Sequence, residues 1–491
     1  MLRRLAALAS SVAALIAARA TACTAIVGLV PAIAAAAPDA VDDYVRAQLA
    51  TRTLPGVSLA VVKGGRIVKA AGYGVANLEL DVAASEHTVY EIGSISKQFA
   101  ANAVLLLVEA GKVGLDDPLA RYIDHTPPAW APITVRHVLA HTSGLADFDT
   151  GNIGFSYRRE YTPSEFVELL GRQPLQFAPG ERWNYTNAFP LLGMVVERAS
   201  GLAYTEFVRR HIFVPLGLDS ARFKINGDVV PHRADGYRVE NGDYRHGETL
   251  RPAVIAANGG IMMSVVDFAK WDIAVTGGRL LRPASLEAMT TPARLNDGRT
   301  VSHGLGWFMD RFNGHTFGAH WGTTVTGHSA VIRRYVNDGV TVIVMGNVDD
   351  GGLAVDTMSK RIADMYVPGV DIHGLGPLPD PDAAGTRTRR AALTSVGAGV
   401  EHAAAPGLAG RLPAPVRARI AAALDGATLE YLGSETLGSG HFNLDPSVAS
   451  LVRYRTRRDA TGGGADPGGT PRYLTLRLTS AGTIAGIQVE D

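Results

Sequence analysis

Apolar runs at residues 57–62 and 66–71 flank Gly64-Gly65, the pattern of two short strands joined by a tight hairpin. An antiparallel sheet therefore opens the folded part of the chain. The texture then changes. Residues 94–110 are rich in Ala, Leu and Val, contain neither Pro nor Gly, and stop at Gly111, which predicts a buried helix. Thr134 caps a short helix that ends at Gly144. Thr162-Pro163-Ser164-Glu165 is a capping box with Pro at the first helical position, and residues 188–199, closed by Gly201, form a further helix. After Gly306 the strand signal returns. Residues 331–335 and 340–345 flank Asn337-Asp338-Gly339 as a second hairpin, and 355–366 reads as an amphipathic helix. The order is strands, a helical block, strands, then a helix. That order predicts an α+β fold, an antiparallel sheet flanked by helices and carrying a helical insert, rather than an alternating parallel sheet.

The two ends of the chain read differently. Met1-Leu2-Arg3-Arg4 is a basic start, residues 5–18 are apolar, and Ala34-Ala35-Ala36-Ala37 is a small-residue stretch. This is the pattern of a secretory signal cut after about Ala36. A lipoprotein box at Ala20-Thr21-Ala22-Cys23 is a weaker alternative, since Ala20 stands where Leu is usual. An uncleaved anchor and a twin-arginine signal at Arg3-Arg4 are two more. Each exports the bulk of the chain, so a periplasmic or secreted location is expected, with membrane contact only if this segment stays uncleaved or is lipidated. At the other end, residues 371–407 are rich in Pro, Gly and Ala, with a basic cluster at Arg387, Arg389 and Arg390, and read as a linker. Beyond it, a helix at 415–424 and strands at 428–432, 451–454 and 473–478 predict a small β-rich unit, with a Gly-rich hairpin loop at 461–470. The expected division is a signal peptide at 1–36, a main domain at 37–370, the linker, and a C-terminal domain at 408–491.

Composition narrows the function. The chain has 491 residues, of which 46% are hydrophobic, too many for a disordered chain. Lys+Arg and Asp+Glu are 47 each, for a formal net charge of +0. No global field is available to hold a polyanion, so nucleic acid is not an expected partner. The single cysteine, Cys23, permits neither an intrachain disulfide nor a cysteine metal cage.

Three segments carry candidate chemistry. In Ser94-Ile95-Ser96-Lys97, at the start of the predicted buried helix, one turn separates Ser94 from Lys97, so the hydroxyl and the amine share a helix face. Burial beside a helix N-terminus disfavours the cation and lowers the amine's pKa from about 10.4. A neutral amine can then take the serine proton, and the helix N-terminus lends N–H groups to a developing oxyanion. Ordinary capping by Ser94, with Lys97 reaching to water, is the bland reading. Tyr185-Thr186-Asn187 follows Trp183-Asn184 and precedes a helix. A phenol near an ammonium can ionise and relay a proton, and the Asn amide can both donate and accept; the alternative is Asn187 as a helix cap. His320-Trp321-Gly322-Thr323 lies between Gly318 and Gly327 in the late strands, where a glycine lets a ligand backbone come close. The alternative there is an ordinary histidine in a Gly-rich hairpin.

Taken together, in this order and spacing, the segments resemble the serine β-lactamase and penicillin-binding-protein superfamily, and most of all the branch holding class C β-lactamases, D,D-carboxypeptidases, D-aminopeptidases and related esterases. Glu91-Ile92-Gly93-Ser94, His141-Thr142-Ser143-Gly144-Leu145, Asn258-Gly259-Gly260 and Gly304-Leu305-Gly306-Trp307 add to the likeness, which spans residues 39–368. The resemblance implies a β-lactamase/transpeptidase-like fold with Ser94 as acylated nucleophile, Lys97 and Tyr185 sharing the base role, and Asn187 binding the substrate's acyl amide. It also implies an oxyanion hole from the backbone N–H groups of Ser94 and Thr323. His320 stands where β-lactamases usually carry the Lys of a K-T-G strand, and Gly322 keeps that motif's glycine. A histidine is mostly neutral at pH 7, so it suits a β-lactam carboxylate less well than Lys.

The expected activity is that of an exported serine hydrolase acting through an acyl-serine on a D-amino-acid peptide, amide or ester, with weak β-lactamase activity allowed. The substrate is a small molecule or short peptide, peptidoglycan-derived among the options, and neither a metal nor an organic cofactor is required. The alternative is a peptidoglycan or β-lactam binding module that acylates slowly or never. Three other features are set aside. Gly327-His328-Ser329-Ala330-Val331 lacks the closing glycine of a nucleophile elbow, His315 and His320 have no third zinc ligand in view, and His141-Thr142-Ser143-Gly144 reads as a helix end with Gly in the left-handed region.

Overall fold

The computed structural model describes residues 39–51, 54–149, 153–225, 227–247, 253–350, 352–436, 448–457 and 471–490. The expected signal segment and the 461–470 loop lie outside them. Among the described residues, no helix is long and apolar enough to cross a membrane.

The expected α+β architecture is present. Strands β1 (Gly56–Lys63), β2 (Arg66–Asn77) and β3 (Val82–Ala83) come early, and β4 (Phe308–Phe312), β5 (His315–Thr324), β6 (His328–Tyr335) and β7 (Val340–Gly346) come late. They form one seven-stranded sheet in the order β3-β2-β1-β7-β6-β5-β4. The two sequence halves join where β1 pairs antiparallel with β7, Val57 opposite Gly346 through Lys63 opposite Val340. Both strands are buried almost throughout, which explains their unbroken apolar runs in place of an alternating pattern. Both predicted hairpins are formed.

The helical block lies between the two halves of the sheet in sequence. Its central element, α1 (Ser96–Glu109), is buried from Ser96 to Leu105. The ring of Phe99 stacks on Trp271, with centroids 4.6 Å apart. Helix α2 (Pro163–Gly171) carries the predicted capping box from Thr162 and Glu165. Helices α3 (Pro190–Ser200), α4 (Val265–Thr276) and, after the sheet, α5 (Leu353–Tyr366) complete the frame. The Thr134 cap is formed, but its helix covers only Val135–Leu139, well short of Gly144.

The segment read as a linker is corrected. Residues 371–407 contain helix α6 (Ala383–Gly397). Ala392, Leu393 and Val396 form its buried face, at helical spacing. Arg389, read as part of a loose basic cluster, is buried, and its Nε donates to the Tyr454 hydroxyl at 2.8 Å. Alanine was counted as a linker residue, whereas it is the strongest helix former. Helix α7 (Ala414–Leu424) follows, then strands β8 (Thr428–Thr436), β9 (Val448–Arg457), β10 (Tyr473–Thr479) and β11 (Ile484–Glu490) as a separate four-stranded antiparallel sheet. The fourth strand had not been expected. This part has its own core of Leu393, Val396, Ile420, Tyr454, Leu474 and Leu476. It meets the main sheet at the edge strand β4, where the Arg453 guanidinium lies 4.3 Å from the centre of the Phe312 ring. Covering an edge strand shields its unpaired backbone groups.

Candidate active site

Ser94 lies two residues before α1, in a single 3-10 turn at Gly93–Ile95 that leads straight into the helix. The turn leaves Ser94 half-buried while Lys97, in the first turn of α1, is wholly buried. Lys97 therefore does not reach to water. Its Nζ donates to Ser94 Oγ at 2.9 Å, to Asn187 Oδ1 at 3.0 Å and to the Asn258 carbonyl at 3.4 Å. Nζ sits 4.9 Å from the centre of the Tyr185 ring, and the Tyr185 phenol neighbours Ser94. Hydroxyl, amine and phenol thus share one crevice. Burial pushes the Tyr185 phenol well above its usual range, partly offset by the neighbouring Ser94. The phenol is thus protonated at rest, in contrast to the ionised form that proximity to the amine suggested.

Asn187 does not cap α3. Phe189 occupies the cap position, without a side-chain hydrogen bond, and Pro190 begins the helix. The Asn187 amide is turned into the crevice and fixed on both sides. Its Oδ1 accepts from Lys97 and from Asn258 Nδ2 at 3.1 Å. Its backbone N–H and Nδ2 donate to Asp147, at 2.9 and 3.3 Å.

The third segment comes from β5. This strand pairs with β6 over residues 317–324 but with β4 only over 315–319. Residues 320–324 thus present a backbone edge with no strand partner on the β4 side. At Gly322 one face of the strand packs against the serine turn. A Cβ placed on Gly322 would lie 1.9 Å from the Ile92 carbonyl oxygen and 3.0 Å from the Ser94 nitrogen, so only glycine fits. This brings Thr323 and Ser94, the two expected oxyanion donors, beside one another. The Thr323 side chain itself is exposed.

His320 is 1% exposed. Burial first, then the Lys97 charge, hold its pKa well below the ordinary imidazole value. The ring is neutral, with Nδ1 2.7 Å from the Trp321 carbonyl and Nε2 without a hydrogen-bond partner. His315 points to the other face of β5 and pairs with Asp338 at 3.0 Å, so the two histidines do not converge. Gly327 lies in the turn between β5 and β6 and His328 opens β6, so the segment does not precede a helix.

Sequence reasoning missed or misread five supporting residues. His141, set aside as part of a helix end, lies beneath Tyr185 with ring centroids 4.5 Å apart, and its Nδ1 accepts the Thr186 N–H at 3.1 Å. Gly144 is indeed left-handed, at φ +76°, but a Cβ there would meet the Phe177 carbonyl oxygen at 2.1 Å. Its role is to bring the 141–145 loop close, not to end a helix. His303 packs edge-on against His141 at 4.7 Å, and burial lowers its pKa to about 3. Asp147, which orients Asn187, lies in a loop two residues before Asp149 and gave no signal. Asn258 was noted within Asn258-Gly259-Gly260, but its hydrogen bonds to Lys97 and Asn187 were not foreseen.

A protein-family model described as Beta-lactamase matches residues 41–365. The chain belongs to the beta-lactamase family. Among curated relatives it is 29% identical over 314 residues to penicillin-binding protein 4* of Bacillus subtilis, covering 59% of this chain and 67% of that protein. It is 28% identical over 205 residues to protein flp of Staphylococcus aureus, of which it spans only 41%. Among solved structures, D-amino acid amidase from Ochrobactrum anthropi superposes with a TM-score of 0.58 at 26% identity, over 67% of this chain and 99% of that one. The octameric penicillin-binding protein homologue from Pyrococcus abyssi covers 92% of this chain and 99% of its own, with a TM-score of 0.57 at 20% identity, a likeness of fold alone. The protein is a penicillin-binding-protein-like serine hydrolase of this family, with D-amino acid amidase among its structural neighbours.

Proposed function

We propose that this beta-lactamase-family protein is an exported amidohydrolase or esterase that forms an acyl-enzyme on Ser94 with D-amino-acid amides, short peptides or esters. In the reacting form Lys97 is the neutral amine, its lone pair toward Ser94 Oγ; Ser94 Oγ attacks the substrate carbonyl and passes its proton to that lone pair. The C–N or C–O bond breaks, and the leaving group takes a proton through the neutral Tyr185 phenol. Water then attacks the acyl-serine and the proton path runs in reverse. The Ser94 and Thr323 backbone N–H groups stabilise the oxyanion, and Asn187, oriented by Asp147, binds the acyl amide. One observation carries this reading: a fully buried amine 2.9 Å from the nucleophilic hydroxyl.

Two features favour amide or ester substrates over β-lactams. The unpaired edge at residues 320–324 suits an extended substrate backbone, which can add to it as a strand does. A neutral His320 offers a β-lactam carboxylate no fixed positive charge. The D-amino acid amidase neighbour agrees with this choice. A side-by-side assay of D-alanine nitroanilide, a short-chain nitrophenyl ester, an acyl-D-Ala-D-Ala peptide and nitrocefin tests it, and turnover of nitrocefin well above the rest would refute the substrate class. Ser94→Ala is expected to abolish labelling by a fluorophosphonate while the circular dichroism spectrum stays native; equal labelling of the variant would refute the acyl-enzyme. An adduct lasting for hours, with no turnover of any substrate, would favour a binding module instead. Fractionation of the native host tests export.

A further inference from the structure

A cavity of about 310 Å³ lies where the C-terminal sheet covers the edge of the main sheet, a volume suited to one small molecule. Phe308, Phe312, Phe317 and Trp321 form its apolar wall on β4 and β5, and Arg453, Thr475, Arg477 and Gln488 face it from β9, β10 and β11. Ser94, Lys97 and Asn187 do not line it. It is separate from the catalytic crevice, although Phe308 also stacks on Tyr185 with ring centroids 5.8 Å apart.

The charges around the cavity are unevenly satisfied. Asp356 is matched by Arg333 and Lys360, and Asp371 by Arg361 and His373. Glu490 accepts from Gln488, and Asp310 is engaged as well. The arginines are not all matched. Arg453 is 3% exposed and donates from one Nη to Glu435 at 2.8 Å, yet its Nε is buried with no hydrogen-bond partner among the described residues. Half-buried Arg477 and exposed Arg311 also line the cavity, and neither guanidinium has a hydrogen-bond or ion-pair partner among the described residues. A buried guanidinium N–H left unmade is costly, and a carboxylate satisfies it with the strongest geometry available.

From this we infer that the cavity is a binding site for a small carboxylate with an apolar or aromatic body, the body against Phe312, Phe317 and Trp321 and the carboxylate between Arg453 and Arg477. The site stands independently of the acyl-enzyme reading. Titration calorimetry on the full-length Ser94→Ala protein tests it with N-acetylphenylalanine and its uncharged amide as probes. The acid is expected to bind with a Kd of about 1 mM or tighter, and the amide about tenfold or more weakly. Arg477→Gln is expected to weaken the acid about tenfold and leave the amide unchanged. If that variant does not fold, Arg477→Lys, which keeps the charge but removes the planar two-donor fork, supplies the readout as a smaller loss for the acid alone. Wild-type protein blocked at Ser94 by a fluorophosphonate is expected to bind the acid as before. No binding of the acid, equal binding of acid and amide, an unchanged affinity in the arginine variant, or loss of binding after the block would each overturn the assignment.

Discussion

The adjacent residues His320 and Trp321 look into two differently built environments. On the Trp321 side, toward α5, buried charge is matched. Trp321 Nε1 donates to Asp356 at 2.7 Å, Arg333 reaches the same carboxylate at 2.6 Å, and Lys360 reaches it at 2.9 Å. On the His320 side, toward α1, polar atoms are buried but left over. The Nε2 atoms of His141, His303 and His320 have no partner, and the amine of Lys97 is held among amides and a hydroxyl. The first arrangement supports stability, since the Asp356 carboxylate is held by two cations. The second leaves three buried ring nitrogens without hydrogen bonds among the described residues, a cost that functional sites carry.

Lys97→Ala should break the comparison most sharply. Turnover of the best substrate is expected to fall about 10²- to 10⁴-fold, as for a proton-transfer group, with little loss of melting temperature. A near wild-type rate would deny Lys97 its role; a large loss of stability would place it with the scaffold. Asp356→Ala should behave in the opposite way. It strands Arg333, whose side chain is 3% exposed, and is expected to cost about 3–5 kcal/mol in urea unfolding, with the rate per folded molecule within a few-fold of wild type.

Acid should separate the two faces by pH. The histidines stay neutral in the native protein, while unfolded imidazoles take up protons below about pH 6.5. The unfolded state then binds more protons, so stability falls from about pH 6.5 downward, toward the folded value of about 3 for His303. Between pH 6.5 and 5 this one residue contributes about 2 kcal/mol of loss, and His303→Gln should flatten the slope by that amount. Asp356 is held below the ordinary carboxylate range by Arg333 and Lys360 against its burial. Its contribution is intact above about pH 3.8 and is lost only below it. Thermal melts at pH 7, 5 and 3.5 check both windows. The smallest effect is expected at Arg172→Ala, which opens a solvent-exposed pair with Glu168. It should stay within about 0.5 kcal/mol and sets the baseline for the others.

Much of this was legible in the chain. Gly64-Gly65, the Thr162 capping box and the Asn337-Asp338-Gly339 turn are local signals, and each marks the element it predicts. The pairing of Ser94 with Lys97 is local too, because three residues along a helical turn share a face. What failed were readings that need a partner to interpret. The 371–407 segment looked like a linker because its apolar residues are mostly alanines, and only α7 together with the strand residues of the same core gives them something to bury against. His141 looked like a helix end because nothing near it in sequence reveals the ring of Tyr185 above it.

The amino-acid order by itself determined where many of the strands and helices begin and that Ser94 and Lys97 share one helical turn, since these follow from periodicity, caps and spacing within a few residues; Tyr185 was singled out only by the resemblance of the three segments taken together. The folded molecule alone decided that Lys97 reaches Asn187 and the Asn258 carbonyl, 90 and 161 positions away in the chain. It alone decided that Asp147 orients Asn187, and that the histidine rings are dry and neutral. Those properties depend on what packs around each group from distant segments, and burial and hydrogen bonding are set by neighbours in space.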